Sequence, residues 1–482
     1  MRNILFSKDQ GNKKLSIFVA IIIFALCFYS LYFYPTGFND DDAFFYFSIA
    51  YRFVNQGISS FDGLSITNGY HPLWMFFLTT FCLPLKLLGI KSIGAFSVFF
   101  SLLVSLIWFL IAKEGSNLFK IIILGLSFRS IYGMETALGA LIIIYLFKFS
   151  NSEISKKYFS FINSFLIFLL VLTRIDFVIL ILILFLKKES IKDKVINIYG
   201  LLLGISIYFL YNYQLTKHIF TVSSYLKVSS TDILRNIAFN YSSEILLYIF
   251  LFNLSVFIFY IFSLKILLYK SFLNKTEYQN YIFLALSSQS FILFHSFLSQ
   301  IRWWYVVPSS LSIIYLLDSL IRNYPILRNK LFQGLSYKNF ANGVFFTSSI
   351  LSLLIFIRFF DDSLKNREFI IKAKEIIDNN QPVYVFDSSG ILSWNFMPEI
   401  NVINGDGLVN SFDYMKNYLR GDESIVNYFR ENNINYYINN RTTKCPTIKK
   451  DCEDVFKNSE SLLSSNAKSN ILKFKLYRVD LD

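Results

Sequence analysis

Between Leu15 and Arg358 the chain is a succession of apolar runs, many near twenty residues long, separated by short polar gaps in which Lys and Arg collect. A hydrocarbon core about 30 Å thick takes roughly twenty residues of helix to cross, and a spanning segment must satisfy its backbone polar groups internally. Runs near 15–34, 73–90, 93–112, 118–131, 136–149, 159–173, 175–187, 194–213, 244–264, 281–299, 304–321 and 341–358 therefore predict helices. The composition agrees: 54% of the 482 residues are hydrophobic, only 16% are charged, and the mean hydropathy is +0.47, well outside the range of an ordinary soluble domain. The expected fold class is an α-helical polytopic membrane protein with about eleven or twelve membrane helices. Met1 to Lys14 is basic and leads into Leu15–Tyr34 without a small-residue cleavage site, which reads as a retained first helix.

A net charge of +13 raises the question of nucleic acid. Its distribution answers against it, because the cations sit in gaps between apolar segments, where they set topology. Lys148, Lys156 and Lys157, then Lys187 to Lys194, then Lys265, Lys270 and Lys275, then Arg322 to Lys338 mark four cytoplasmic loops. The N-terminus is then cytoplasmic. A first loop at 35–72, the stretch Gly133 to Thr136, the segment Tyr213 to Tyr241, the Arg302 region and everything after Arg358 fall outside. Three full spans between His71 and Gly133 would break this parity. The shortest, Leu118 to Ile131, interrupted by Arg129, is expected to cross only half way.

Beyond Arg358 the sequence turns mixed and polar. Short β-branched or aromatic runs, Pro382 to Phe386, Ile400 to Ile403 and Asn435 to Ile438, alternate with helical stretches. This pattern predicts a small α/β domain over 359–482, outside the membrane module 1–358. Cys445 and Cys452 flank a short polar stretch there, and a disulfide loop or two free thiols both fit. Asn404-Gly405-Asp406-Gly407 reads as a tight turn.

The polar groups that could carry chemistry converge on the outer compartment: Asp40, Asp41 and Asp42, Glu135, Lys227 and Arg302. Carboxylates at a membrane edge are costly and point to a functional site. One can accept a proton from a hydroxyl while a second orients the reacting groups, and cations suit a phosphate leaving group. Asp41 or Asp42 can instead start a helix over Ala43 to Gln56, so one aspartate is expected to cap and another to react. Arg174 and Asp176 read as an internal ion pair, with anchoring of the loop as the functional alternative. His71, before Pro72, is expected to fix the loop by hydrogen bonding, with a substrate contact as the alternative. Trp303, Trp304 and Tyr305 beside Arg302 read as an interfacial aromatic belt or a sugar-stacking surface. With three histidines and no cluster, a zinc centre is not expected, and no metal ligand is assigned, although Asp40 to Asp42 with Glu135 leave room for a hard divalent cation. Nucleotide-binding and nucleophile-elbow motifs are absent from the sequence, which disfavours an ATP-driven pump and a serine hydrolase.

An Asp-Asp pair after the first helix, then Arg52, Gly57, Phe61-Asp62-Gly63 and Thr67-Asn68-Gly69-Tyr70-His71-Pro72-Leu73-Trp74, resembles the first outer loop of GT-C glycosyltransferases. The similarity is to the bacterial branch that includes the mycobacterial terminal arabinofuranosyltransferase and relatives of protein mannosyltransferases. Gly133-Met134-Glu135-Thr136, Leu172-Thr173-Arg174-Ile175-Asp176 with Ile where the branch has Pro, Arg302 to Pro308, and Asp387 to Gly390 with Asp406 to Asn410 resemble further motifs of that branch in order. The resemblance implies a membrane enzyme that moves a sugar, with inversion, from a polyprenyl-phosphate donor to a hydroxyl of a glycan, lipid or protein at the outer face of the cytoplasmic membrane. By position it implies Asp40 or Asp41 as base, Glu135 as second acid and Lys227 as a phosphate-facing cation. Asp42, Arg52, His71, Arg302, Trp304 and Tyr305 are the expected substrate-binding residues. No cofactor is assigned. A transporter or flippase for a lipid-linked or anionic solute is the competing reading, against which stand the outer position of the acids and the lack of a visible repeat.

Overall fold

The structure, a computed structural model, describes residues 10–33, 41–117, 133–150, 159–184, 190–228, 364–378, 381–385, 388–439, 459–465 and 474–479, with isolated positions at 119–120, 123, 290–291 and between 308 and 322. The described chain is mostly helical: α1 Gln10–Tyr32, α2 Asp41–Gln56, α3 Pro72–Leu87, α4 Ile93–Glu114, α5 Thr136–Ser150, α6 Phe159–Thr173, α7 Val178–Leu184, α8 Ile191–Thr216 and α9 Val222–Val228. A 3-10 turn, Ile175–Phe177, joins α6 to α7. Three of these helices, Lys13–Tyr32 within α1, α4 and α8, are long and apolar enough to cross a membrane. Helices α3, α5 and α6 are apolar but shorter. The expected helices over 244–264 and 341–358 lie outside the described residues, as do most positions of 118–131, 281–299 and 304–321.

Local chemistry sets the ends. Ser190 caps α8, its Oγ accepting from Asp193 N while donating to Asp193 Oδ2 at 2.6 Å, and Lys217 closes the helix in the left-handed region at φ 62°. Pro72 opens α3 at the position where its missing N–H is harmless. Gly200 and Gly204 let α6 and α8 touch: a Cβ at Gly200 would stand 2.2 Å from Ser164 O, and one at Gly204 3.0 Å from Val171 Cβ. This four-residue spacing of small residues is a close-approach face for apolar helices.

Contacts between helix ends order the bundle. The start of α4 lies at the end of α1, where Gly94 packs on Tyr32, so α1 and α4 run antiparallel. Ser160 hydrogen-bonds Asp193, so α6 and α8 start together. At that same end of the bundle Lys148, near the end of α5, meets Glu114, the last residue of α4, at 2.7 Å. Helix α3 departs from the expected span over 73–90. Trp74, in its first turn, donates to Gly133 O, and the loop beyond its last turn returns to α2, where Tyr51 donates to Lys91 O. Both ends of α3 therefore lie at one end of the bundle, the end that carries α2. The half-crossing expected over 118–131 falls, but for isolated positions, outside the described residues.

The C-terminal part contains helix α10 (364–376) and a five-stranded sheet: β1 Val383–Val385, β2 Val402–Asn404, β3 Tyr436–Asn439, β4 Ser459–Ser464 and β5 Lys475–Val479, in the order β2-β1-β3-β5-β4. Strand β1 pairs in parallel with β2 and β3, while β5 pairs antiparallel with β3 and β4. Helix α11, Ser389–Phe396, forms the crossover from β1 to β2, and a π-helical turn, Tyr414–Leu419, with α12, Ile425–Glu431, leads to β3. The three strands read from the sequence coincide with β1 to β3, and β4 and β5 were not anticipated. Trp394 of α11 is fully buried among Phe47, Tyr51 and Phe100 and donates to Leu31 O, so the sheet region rests on α2 and on the ends of α1 and α4.

Candidate functional site

A cleft of about 50 Å³ opens where α2, the loop before α3, the turn before α5, the end of α6 and the C-terminal region meet. Asp42, Tyr46, Tyr70, His71, Glu135 and Arg174 form its polar side, Leu408 and Val409 an apolar wall, and Ser223 of α9 part of the rim.

The loop 57–71 is held by its own side chains. Gly57 and Gly63 turn it at φ 76° and 80°. Asp62 Oδ1 accepts from Leu64 N and Ser65 N, each at 2.8 Å, in an Asx-type turn. Asn68 accepts from Val222 N, and its amide nitrogen lies 2.9 Å from Asn212 Oδ1 and 3.2 Å from Phe220 O, which pins the loop to α8 and α9. Tyr70 OH lies 2.6 Å from Ser59 Oγ and 2.8 Å from Tyr211 OH. Behind the motif Gly133-Met134-Glu135-Thr136 is a steric requirement. Gly133 sits at φ 87°, and a Cβ there would stand 2.4 Å from the Phe47 ring.

Glu135 is completely buried. Its Oε1 receives Arg174 Nη1 at 2.6 Å and lies 3.6 Å from His71 Nε2. Arg174 reaches Asp176 with its other nitrogens, Nη2 to Oδ2 at 2.5 Å and Nε to Oδ1 at 3.0 Å. The ion pair expected between Arg174 and Asp176 is present and extends to Glu135, a link that sequence proximity did not suggest. Burial pushes the Glu135 carboxyl up, but His71, Arg174 and hydrogen bonds from the backbone and Tyr46 outweigh it, so the group is held below the ordinary range. Tyr46 moves the other way: burial first, then the Glu135 charge, raise its hydroxyl well above the ordinary value. Glu135 is thus an ionised, pinned carboxylate, suited to orienting partners rather than to taking a proton.

The aspartates divide. Asp41 and Asp42 occupy the first turn of α2, where negative charge complements the helix dipole. Asp42 faces the cleft. Asp41 Oδ1 instead accepts the Ile391 N–H of α11 at 2.8 Å. Arg52 does not line the cleft: it is buried, with Nε donating to Phe61 O and Nη2 to Asn401 Oδ1, and so joins the loop to the C-terminal region. His71 is the N-terminal flanking residue of α3 and lines the cleft. Lys227 lies in α9, the helix that brings Ser223 to the rim. Asp40, Arg302, Trp304, Tyr305, Cys445 and Cys452 lie outside the described residues. Among the described residues no three His, Cys, Asp or Glu side chains gather as a metal site, and Glu135 has Arg174 where a cation would bind. The tight turn read at Asn404 to Gly407 is present, with Asp406 Oδ1 accepting from Leu408 N.

Tyr46, Tyr70, Arg174, Leu408 and Val409 were not named as site residues in advance. Tyr46 carried a signal, since it stands four residues after Asp42 on one helix face. Leu408 and Val409 stand inside the Asp406 to Asn410 stretch that resembles an outer-domain motif, but only the tertiary approach of the turn to Gly69 brings them to the cleft. No protein-family model matches the chain, and no curated protein matches it significantly.

Proposed function

We propose that this chain is a multi-pass membrane glycosyltransferase of GT-C type, about eleven or twelve helices in all, that moves a sugar with inversion from a polyprenyl-phosphate donor to an acceptor hydroxyl. The observation that carries this reading is the cleft in which Asp42 stands beside a His71–Glu135–Arg174 cluster, its Glu135 and Arg174 buried and its His71 half-buried, at the α2 end of the bundle. Lys148 and Glu114 at the opposite end, with Lys113 beside them, support a cytoplasmic assignment for that end and an extracytoplasmic one for the cleft and the C-terminal region. The membrane is then the cytoplasmic one, with the N-terminus inside.

In this reading Asp42 takes the proton of the acceptor hydroxyl. The oxygen attacks the anomeric carbon from the face opposite the phosphate, a new C–O bond forms, and the bond to the phosphate oxygen breaks with inversion. Lys227 and Arg302 meet the charge on the departing lipid phosphate. Glu135 and Arg174 fix His71 and the cleft wall, and the acceptor, a glycan, lipid or protein, approaches along Leu408 and Val409.

The test is transfer from radiolabelled polyprenyl-phosphate sugars to membrane acceptors by purified protein. Loss of a general base is expected to reduce the rate of Asp42→Asn by about 10²- to 10⁴-fold. Undiminished transfer in Asp42→Asn, with loss in Asp40→Asn, moves the base to Asp40. Solute movement without any glycosidic product replaces the enzyme with a transporter.

A further inference from the structure

Asp41 makes a cap for a helix 350 residues away in sequence. Helix α11 begins without local capping: its N-terminal flanking residue Ser388 sits in the left-handed region at φ 60° and makes no side-chain cap. The N–H of the third helical residue, Ile391, is one of the donors that a capping side chain ordinarily satisfies. Here Asp41 Oδ1 satisfies it at 2.8 Å. The backbones are also in contact, since a Cβ on Gly390 would stand 2.3 Å from Asp41 O.

The capped helix is hydrogen-bonded to the apolar wall of the cleft. Ser389 Oγ accepts from Asn404 Nδ2 at 2.6 Å, and Asn404 Oδ1 accepts from Val409 N at 3.3 Å. Asn410 Nδ2 donates to Asn404 O at 2.9 Å. Thr67 Oγ1 then donates to Asn410 O, which returns the chain of bonds to the loop before α3. The start of α11 is thus tied by hydrogen bonds to the turn that carries Leu408 and Val409, which line the same cleft as Asp42, the residue that follows Asp41.

We propose that Asp41 is a positioning residue, whose carboxylate clasps α11 and thereby sets the width of the cleft between Asp42 and the Leu408–Val409 wall. The inference rests on the transferase reading for its effect on rate, but the clasp is a physical contact that can be measured without any substrate. Its chemistry is distinctive. Accepting an N–H needs an oxygen and no charge, so Asn can replace Asp41, whereas a proton-accepting base cannot be replaced in this way.

The experiment compares full-length wild type, Asp41→Asn, Asp41→Ala, Gly390→Ala and Asp42→Asn in detergent. Amide hydrogen exchange of the peptides covering 388–396 is read alongside transfer from the polyprenyl-phosphate sugars. Asp41→Asn is expected to keep the protection of α11 and transfer within about threefold of wild type, the cap oxygen being retained. Asp41→Ala and Gly390→Ala are expected to lose that protection, and misplacing the wall is expected to cost transfer about 10- to 100-fold. Asp42→Asn is expected to keep protection and lose transfer. Abolished transfer in Asp41→Asn with α11 fully protected overturns the proposal and makes Asp41 the base. Unchanged protection in Asp41→Ala overturns the clasp itself. If wild type transfers no sugar from any donor, the enzymatic reading fails separately, and exchange in the Asp41 pair still decides the clasp.

Discussion

At the scale of single residues, the decisive feature is that each acid has a different environment. Asp42 faces the cleft, Asp41 is hydrogen-bonded to Ile391 N, and Glu135 is enclosed by Arg174 and His71. The direction of the Glu135 shift gives a stability prediction. Its folded-state value lies below the unfolded one, so the unfolded chain takes up the proton first on acidification. The stabilisation is present above the unfolded carboxyl value of about 4.3 and is lost as pH falls from there through the lower folded value. The melting temperature of wild type is expected to fall over that window, and Glu135→Gln is expected to flatten the fall; parallel curves for the two proteins would rule the assignment out. The sequence located all three acids, because carboxylates at the edge of an apolar run are conspicuous. It could not apportion them, since the partners that differentiate them, Ile391 for Asp41 and Arg174 for Glu135, are 350 and 39 residues distant. Arg174 with Asp176 was legible, being a contact between near neighbours.

At the scale of elements, length and hydropathy predicted most helix positions, as α4, α5, α6 and α8 lie close to the runs read for them. They did not show that both ends of α3 lie at the α2 end of the bundle. A count of apolar residues carries no direction, and the bonds that turn this helix back, Trp74 to Gly133 O and Tyr51 to Lys91 O, join it to segments the count treats separately. Its outward residues remain apolar, with Phe76, Leu83 and Leu87 exposed. Cysteines placed at Lys91 and at Leu64, in a background without the native thiols, are therefore expected to react with an impermeant maleimide added on the same side of the membrane. A cysteine at Lys113, on the other end of α4, is expected to react only from the opposite side. Labelling of Leu64→Cys and Lys113→Cys from one side, with Lys91→Cys reacting only from the other, would restore α3 as a full span. Strands β4 and β5 escaped notice for a related reason: Ser459–Ser464 lacks β-branched residues and is only partly buried, so its pairing with β5 supplies what its local sequence does not.

At the scale of the whole molecule, the composition shift after Arg358 suggests two separable parts, and the packing joins them. One apolar core continues from Val19 and Ile23 of α1 through Phe44 and Phe47 of α2 to Trp394, Val402 and Leu476 of the sheet region. Polar clasps reinforce the seam: Asp41 to Ile391, Arg52 to Asn401, Thr67 to Asn410 and Trp394 to Leu31. A division drawn from composition could not foresee this, because α2 is the element buried on both sides and its sequence reads simply as an amphipathic helix. Elements that share one core unfold together, so wild type is expected to melt in a single transition by both intrinsic fluorescence and calorimetry. Trp394 is fully buried at the seam, and replacing it with Ala removes a large side chain at a cost of about 3–5 kcal/mol. Trp394→Ala is therefore expected to lower the whole transition and to release the protection of α11 and α2 together. Two resolved transitions in wild type, or a Trp394→Ala effect confined to the sheet region, would show that the C-terminal part folds as an independent unit and that the cleft is assembled only when it docks.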